Sequence, residues 1–163
     1  MNIRLKVALI FLAALSLLIL SLSASAALLP KSELSALTFK TFAFICHQKA
    51  SLCFNISGKS MPICSRCFGI YTGIFILSTL LLFFKKDYLL VKKKLFKFKI
   101  AIIFFLTAWS AVYIDSRLNS ENIIQQSHLR RFITGFAAGC SLAILILFLL
   151  NYLFSIIKDQ RKP

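Results

Sequence analysis

The chain has 163 residues, 59% of them hydrophobic, and a formal net charge of +15; its mean hydropathy is +0.83. That length bounds it to one domain, and that hydropathy excludes a water-soluble one. The charge would point to nucleic acid in a soluble protein, but here it has to be read against a membrane.

Crossing the hydrocarbon layer as a helix takes roughly 20 apolar residues. Residues 7–29 contain only apolar residues, serines and alanines after Arg4 and Lys6, long enough to cross. The rival reading is a cleaved signal peptide ending near Ala24 to Ala27, but its apolar core would be roughly 7 to 15 residues, and this run is longer. A retained helix is the expectation. The second run, 68–84, stops hard at Lys85 and Lys86. The third, 98–114, is short, and the stems of Lys97 and Lys99 extend it by snorkelling toward the headgroups. The fourth, 132–157, is closed by Lys158, Asp159, Gln160, Arg161, Lys162 and Pro163. The expected fold is an all-α membrane protein of four transmembrane helices forming one domain over 1–163, with outer loops at 30–67 and 115–131.

Four spans put both termini on one side, and the basic residues choose which. The segments 1–6, 85–99 and 158–163 hold twelve Lys and Arg against two acidic residues, a net +10; the loops 30–67 and 115–131 hold eight against three, a net +5. The termini are therefore expected in the cytoplasm, with the first loop periplasmic or extracellular, in a bacterial inner membrane. The lysines of 85–99 also suit anionic inner-leaflet lipid, and no nucleic-acid role is expected.

The first outer loop concentrates the chemistry. Leu34, Leu37, Phe42, Phe44 and Ile45 recur at loosely helical spacing, which fits a short helix on the bilayer or on the bundle. Gly58 and Pro62 mark a turn that folds Cys64 back toward Cys46. Four of the five cysteines, Cys46, Cys53, Cys64 and Cys67, fall here with His47. Free thiols do not persist on an oxidising face, so bound metal, redox cycling and bracing disulfides are the three readings. Cys64-Ser65-Arg66-Cys67 turns two sulfurs to one point, and a tetrahedral zinc site asks for four donors, which Cys46, His47, Cys64 and Cys67 supply. Adjacent Cys46 and His47 diverge, so Cys53 is a substitute for either. The redox reading uses Cys64 and Cys67 as the exchanging pair and Cys46 and Cys53 as a relay. Its architecture is similar to that of the quinone-linked disulfide-forming membrane proteins of bacteria, although those keep a second cysteine pair in the later outer loop and 115–131 has none. Phe68 in place of histidine after Cys67 disfavours covalent haem. Cys140 reads as a small packing residue.

Cys46-His47 joined to a downstream Cys64, Arg66, Cys67, Gly69, Ile70, Tyr71 and Gly73 resembles a family of small, uncharacterised bacterial membrane proteins carrying a domain of unknown function. Arg131, Thr134 and Gly135 resemble its last-helix motif, and Asp115 an acidic residue ending the preceding helix. The family usually has Pro-x-Arg-Ser where this chain reads Ala50, Ser51, Leu52 and Cys53, so the resemblance implies Cys46, His47, Cys64 and Cys67 as the core set. It implies no activity.

Topology brings Arg66, Tyr71, Asp115, Arg130 and Arg131 to the same membrane surface, and Gly69/Gly73 with Gly135/Gly139 offer small faces for close packing of the second and fourth helices. One expectation is that Asp115 pairs with an arginine while the others snorkel. The other is an anion pocket for a phosphate or carboxylate headgroup. A catalytic base would be His47 or His128, with no serine in a nucleophile motif beside either, so enzyme activity stays open. The function predicted is a membrane protein with a periplasmic, structural zinc site beside an arginine-lined anion or lipid-headgroup pocket; the alternative is a thiol–disulfide oxidoreductase using Cys64 and Cys67, with a quinone as cofactor.

Overall fold

The structure is a computed structural model that describes residues 3–28, 33–56, 58–83, 98–121 and 127–159. In chain order it contains α1 (Ile3–Leu28), α2 (Glu33–Phe42), a 3-10 turn (Ala50–Leu52), β1 (Cys53–Ile56), β2 (Lys59–Cys64), α3 (Ser65–Phe83), α4 (Phe98–Ser120) and α5 (His128–Asp159). Four helical stretches, Leu5–Leu28, Ser65–Phe83, Ile100–Ser120 and His128–Leu150, are long and apolar enough to cross a membrane. This is an all-α membrane protein with a small hairpin at one end. The lysine-rich segment 84–97, expected to meet inner-leaflet lipid, lies outside the described residues.

Long side chains such as Phe11, Leu17, Ile103, Leu106 and Leu153 face outward, as they do where lipid takes the place of water. Serines are tolerated in α1 because their hydroxyls donate back along the helix: Ser16 to the Leu12 carbonyl at 2.7 Å and Ser23 to that of Leu20 at 2.8 Å. Such bonds leave no polar hydrogen for lipid to satisfy. Leu5 and Leu9 near the start of α1 pack with Leu81, Leu82 and Leu147, whereas Ile19 and Leu22 near its end pack with the cysteines. α1 thus runs antiparallel to α3.

α3 and α5 run parallel and approach most closely. A Cβ at Gly69 or Gly73 would fall on the carbonyl oxygens of Phe132 and Phe136, and one at Gly135 or Gly139 on those of Arg66 and Ile70. The two glycine pairs therefore interlock by reciprocal contact of backbone with backbone, where only small residues fit. The contact sets both helix N-termini side by side at the hairpin end.

The first and last helices begin before their apolar runs, at Ile3 and His128, and three local differences have a physical reason. α3 begins at Ser65 rather than at residue 68, since Cys64 serves as its cap. α4 runs on to Ser120 because Asp115 and Asn119, four apart, lie buried on one face; they are polar interruptions of the hydropathy but not of the helix. The expected turn from Gly58 to Pro62 is a β-hairpin instead. Only Gly58, with φ of 78°, sits at the turn, and Pro62 lies inside β2, tolerated because both strands of a two-stranded sheet are edges. The register pairs Asn55 with Ser60 and Cys53 with Cys64, with an irregularity between Cys53 and Asn55.

α2 packs on α1 and β2 through Ser35, Thr38 and Phe42 while Leu34 and Leu37 point outward, each more than half exposed, followed by exposed Phe44 and Ile45. Small polar residues inside and large apolar ones outside reverse the amphipathicity of a water-facing helix. That arrangement suits an apolar surrounding.

Candidate metal centre

Two chain segments converge on one point, Cys46 from one and Cys64 with Cys67 from the other. Cys46 follows the end of α2, its N–H bonded to the Phe42 carbonyl at 2.8 Å. The chain then turns sharply at Gln48, whose φ is 49° and whose side-chain amide donates to the Phe39 carbonyl at 2.6 Å. This left-handed residue helps turn the backbone outward immediately after Cys46. Cys64 ends β2 and caps α3: the backbone N–H groups of Arg66 and Cys67 donate to its sulfur, the second and third helical positions that a cap residue satisfies. Its own N–H donates to the Cys46 sulfur at 3.1 Å. Cys67 follows one turn along α3. The sulfurs of Cys46, Cys64 and Cys67 all lie within 4.8 Å of one another.

The surroundings are apolar. Phe42 and Ile63 are buried with the cysteines, and Ile19, Leu22, Leu52, Phe68 and Tyr71 pack against them. Hydrogen bonds from Cys46 and Cys67, then from the backbone N–H groups of the α3 N-terminus, hold the Cys64 thiol well below the usual thiol range despite burial. Cys53, its partner across the hairpin, behaves oppositely. Burial pushes its thiol up to about 12, nearby Cys46 and Cys64 add to the rise, and Arg131 draws it down. Its S–H donates to the Lys49 carbonyl at 3.3 Å.

The remaining expected residues separate into groups. His47 is exposed and stands outside the three-sulfur group, a consequence of the divergence of adjacent side chains. Tyr71 packs with the cysteines. Arg66, Arg130 and Asp115 form a second cluster on the other side of the first turn of α3. The Asp115 carboxylate accepts from an Arg66 Nη and from Arg130 Nε, the latter at 2.7 Å. Asn119 braces it, donating to the Asp115 carboxylate at 3.2 Å and accepting from an Arg130 Nη at 3.1 Å. One carboxylate thus joins α3, α4 and α5. Arg131 is only 5% exposed, and the Nε atoms of Arg66 and Arg131 find no acceptor among the described residues.

Two partners escape sequence reasoning. Asn119 is one, although its place four residues after Asp115 is a helical-face signal. The other is Ser65, fully buried, whose hydroxyl donates to the Leu52 carbonyl at 2.6 Å and lies 2.9 Å from His128 Nδ1. A hydroxyl has one hydrogen, so with it committed to Leu52 the contact requires that Nδ1 carry the proton. The imidazole holds the serine as an acceptor and does not activate it, which is the opposite of a nucleophile pair. No sequence spacing connects residues 65 and 128; the α3–α5 contact does.

The chain matches, over residues 46–145, the family described as a predicted membrane protein (DUF2085), and it belongs to that family. It is 33% identical over 115 residues to an uncharacterized protein of Methanocaldococcus jannaschii, covering 70% of this chain and 69% of that one. It is 31% identical over 104 residues to an uncharacterized protein of Methanothermobacter thermautotrophicus, covering 64% and 86%. Both relatives are archaeal, whereas the sequence motif had suggested a bacterial family. No solved structure matches.

Proposed function

We propose that this membrane protein is organised around a thiolate metal centre on its outer face, held by Cys46, Cys64 and Cys67 beside an arginine rim suited to an anionic headgroup. The observation that carries the reading is the convergence of three sulfurs, all within 4.8 Å, from two chain segments 18 residues apart inside a mostly apolar shell. Two of these sulfurs accept backbone N–H bonds, the environment that stabilises thiolate over thiol. Zinc is the ion that the Cys/His set called for, and thiolate donors suit it. When bound, such an ion would tie the end of α2, the hairpin and α3 into one cap. Lysine placement supports a cytoplasmic-membrane orientation with this cap outside. At the rim, Arg66, Arg130 and Arg131 outnumber Asp115, so a phosphate or carboxylate headgroup fits the excess charge.

A second reading is favoured by one feature. Cys64 sits at a helix N-terminus with Cys67 three residues later, the geometry of a dithiol that exchanges with partner thiols and passes electrons to an acceptor such as a quinone. Its expected relay pair is less well served, because Cys53 donates to Lys49 instead. Metal counted per purified chain by mass spectrometry, together with alkylation under non-reducing conditions, separates the two. About one metal with protected thiols supports the centre. A reducible bond between Cys64 and Cys67 without metal supports exchange.

A further inference from the structure

We infer that the centre is a three-sulfur site for a soft monovalent ion, copper(I), rather than a four-coordinate zinc site. The inference rests on the thiolate centre proposed above and concerns which ion it takes. All five cysteines and both histidines of the chain lie among the described residues, so every thiol and imidazole donor has a known position. Three converge. The other four stand outside the three-sulfur group: Cys53, buried beside it, donates to the Lys49 carbonyl, Cys140 lies 3.6 Å from the Gly73 carbonyl, His128 is engaged with Ser65, and His47 is exposed.

Structural zinc takes four protein ligands, whereas zinc with three keeps its fourth position for water or substrate. A water bound at this centre would need two to four polar partners. The shell here is built of Ile19, Leu22, Leu52, Phe42, Ile63 and Phe68, with the Tyr71 hydroxyl the one polar side-chain group besides the cysteines among these described residues, short of what a water needs. Thiolates also select copper(I), a closed-shell ion that accepts three sulfurs in a plane without a fourth ligand. With metal–sulfur bonds of about 2.3 Å, such a triangle has edges of about 4 Å, and the three sulfurs already stand within 4.8 Å of one another.

Three thiolates around a monovalent ion leave the centre anionic, and a buried anionic centre calls for an opposing charge. Arg131 supplies it. Its guanidinium is buried, its Nε lacks an acceptor among the described residues, and it lies within electrostatic reach of Cys53, the cross-strand partner of Cys64. The first turns of α5 stack on the same hairpin, with Phe54 5.6 Å from the His128 ring and 6.4 Å from the Phe132 ring. The partial positive charge of the α3 N-terminus acts in the same sense. Arg131 is therefore a positioning residue for the charge of the centre.

The test uses the full chain in lipid nanodiscs, loaded anaerobically with copper(I) alone or zinc(II) alone and then challenged with a chelator for that ion. The expected result is one copper retained per chain, zinc stripped, and an X-ray absorption spectrum with three sulfur neighbours at about 2.3 Å. His47→Ala and Cys53→Ala should retain copper as the parent does. Arg131→Met should weaken retention by more than about tenfold, and Arg131→Lys should recover it. Zinc held in a four-coordinate shell, or copper lost on His47→Ala or Cys53→Ala, overturns the copper assignment and leaves the thiolate centre standing. Retention of neither ion overturns both.

Discussion

The first turn of α3 carries two polar clusters on opposite sides, built on opposite principles. On one side Arg66 meets Asp115, which also takes Arg130, with Asn119 filling the remaining bonds. Opposite charges neutralise one another there, and the product is a tie between three helices. On the other side Cys46, Cys64 and Cys67 bring like donors together; as three thiolates they would repel, and under the proposal above a cation would hold them. A self-neutralising cluster reads as architecture and a self-repelling one as a receptor, even where Cys64, Arg66 and Cys67 are neighbours in sequence.

Substitution can separate these two roles. The largest effect is expected from Cys46→Ser and Cys67→Ser, which should abolish metal retention and destabilise the chain equally, as measured by metal per chain and thermal unfolding in nanodiscs. Normal abundance with thiol turnover lost in Cys67→Ser alone would argue for exchange chemistry. Next, Asp115→Ala strands two arginines. Breaking a buried pair costs about 3–5 kcal/mol, with the lower end expected because the Arg130 side chain is 32% exposed, and metal retention in the folded fraction should be unchanged. If the metal is lost together with the ion pair, the two clusters are one unit. Gly139→Ala forces a methyl onto the Ile70 carbonyl and should cost about 1–3 kcal/mol as overpacking does, read as a fall in the unfolding midpoint.

The smallest effect concerns Cys53. With its thiol at about 12, it should alkylate slowly at pH 8 in the folded chain and rapidly once unfolded. The stability linkage has a definite sign. The folded value lies above the ordinary 9.0, so this contribution is complete below pH 9 and is lost as pH climbs toward 12. Fast labelling of Cys53 at pH 8 would show that the hairpin opens.

The four spans were legible because uninterrupted apolar runs are nearly sufficient to specify a membrane helix. The glycine pairs were legible because spacing by four places residues on one helical face. Asp115 was foreseen with one arginine and holds two, a number set by the α3–α5 packing and not by any local pattern. The hairpin was hidden by Pro62, whose usual meaning as a strand breaker does not apply at an edge. For His47 the sequence carried its own warning, since a residue next to Cys46 points away from it, but residue type outweighed direction in choosing the donors. Ser65 and His128 were beyond reach because their partnership exists only after two helices 63 residues apart have docked.

The interlocked glycines have a mechanical consequence. With carbonyl oxygens seated where side chains would otherwise cushion the contact, α3 and α5 are locked in one register against each other. Cys64, Cys67, Arg66 and Arg131 all sit at the hairpin end of that contact. A ligand held by the sulfurs or the guanidinium groups at that end therefore bears on both helices at once.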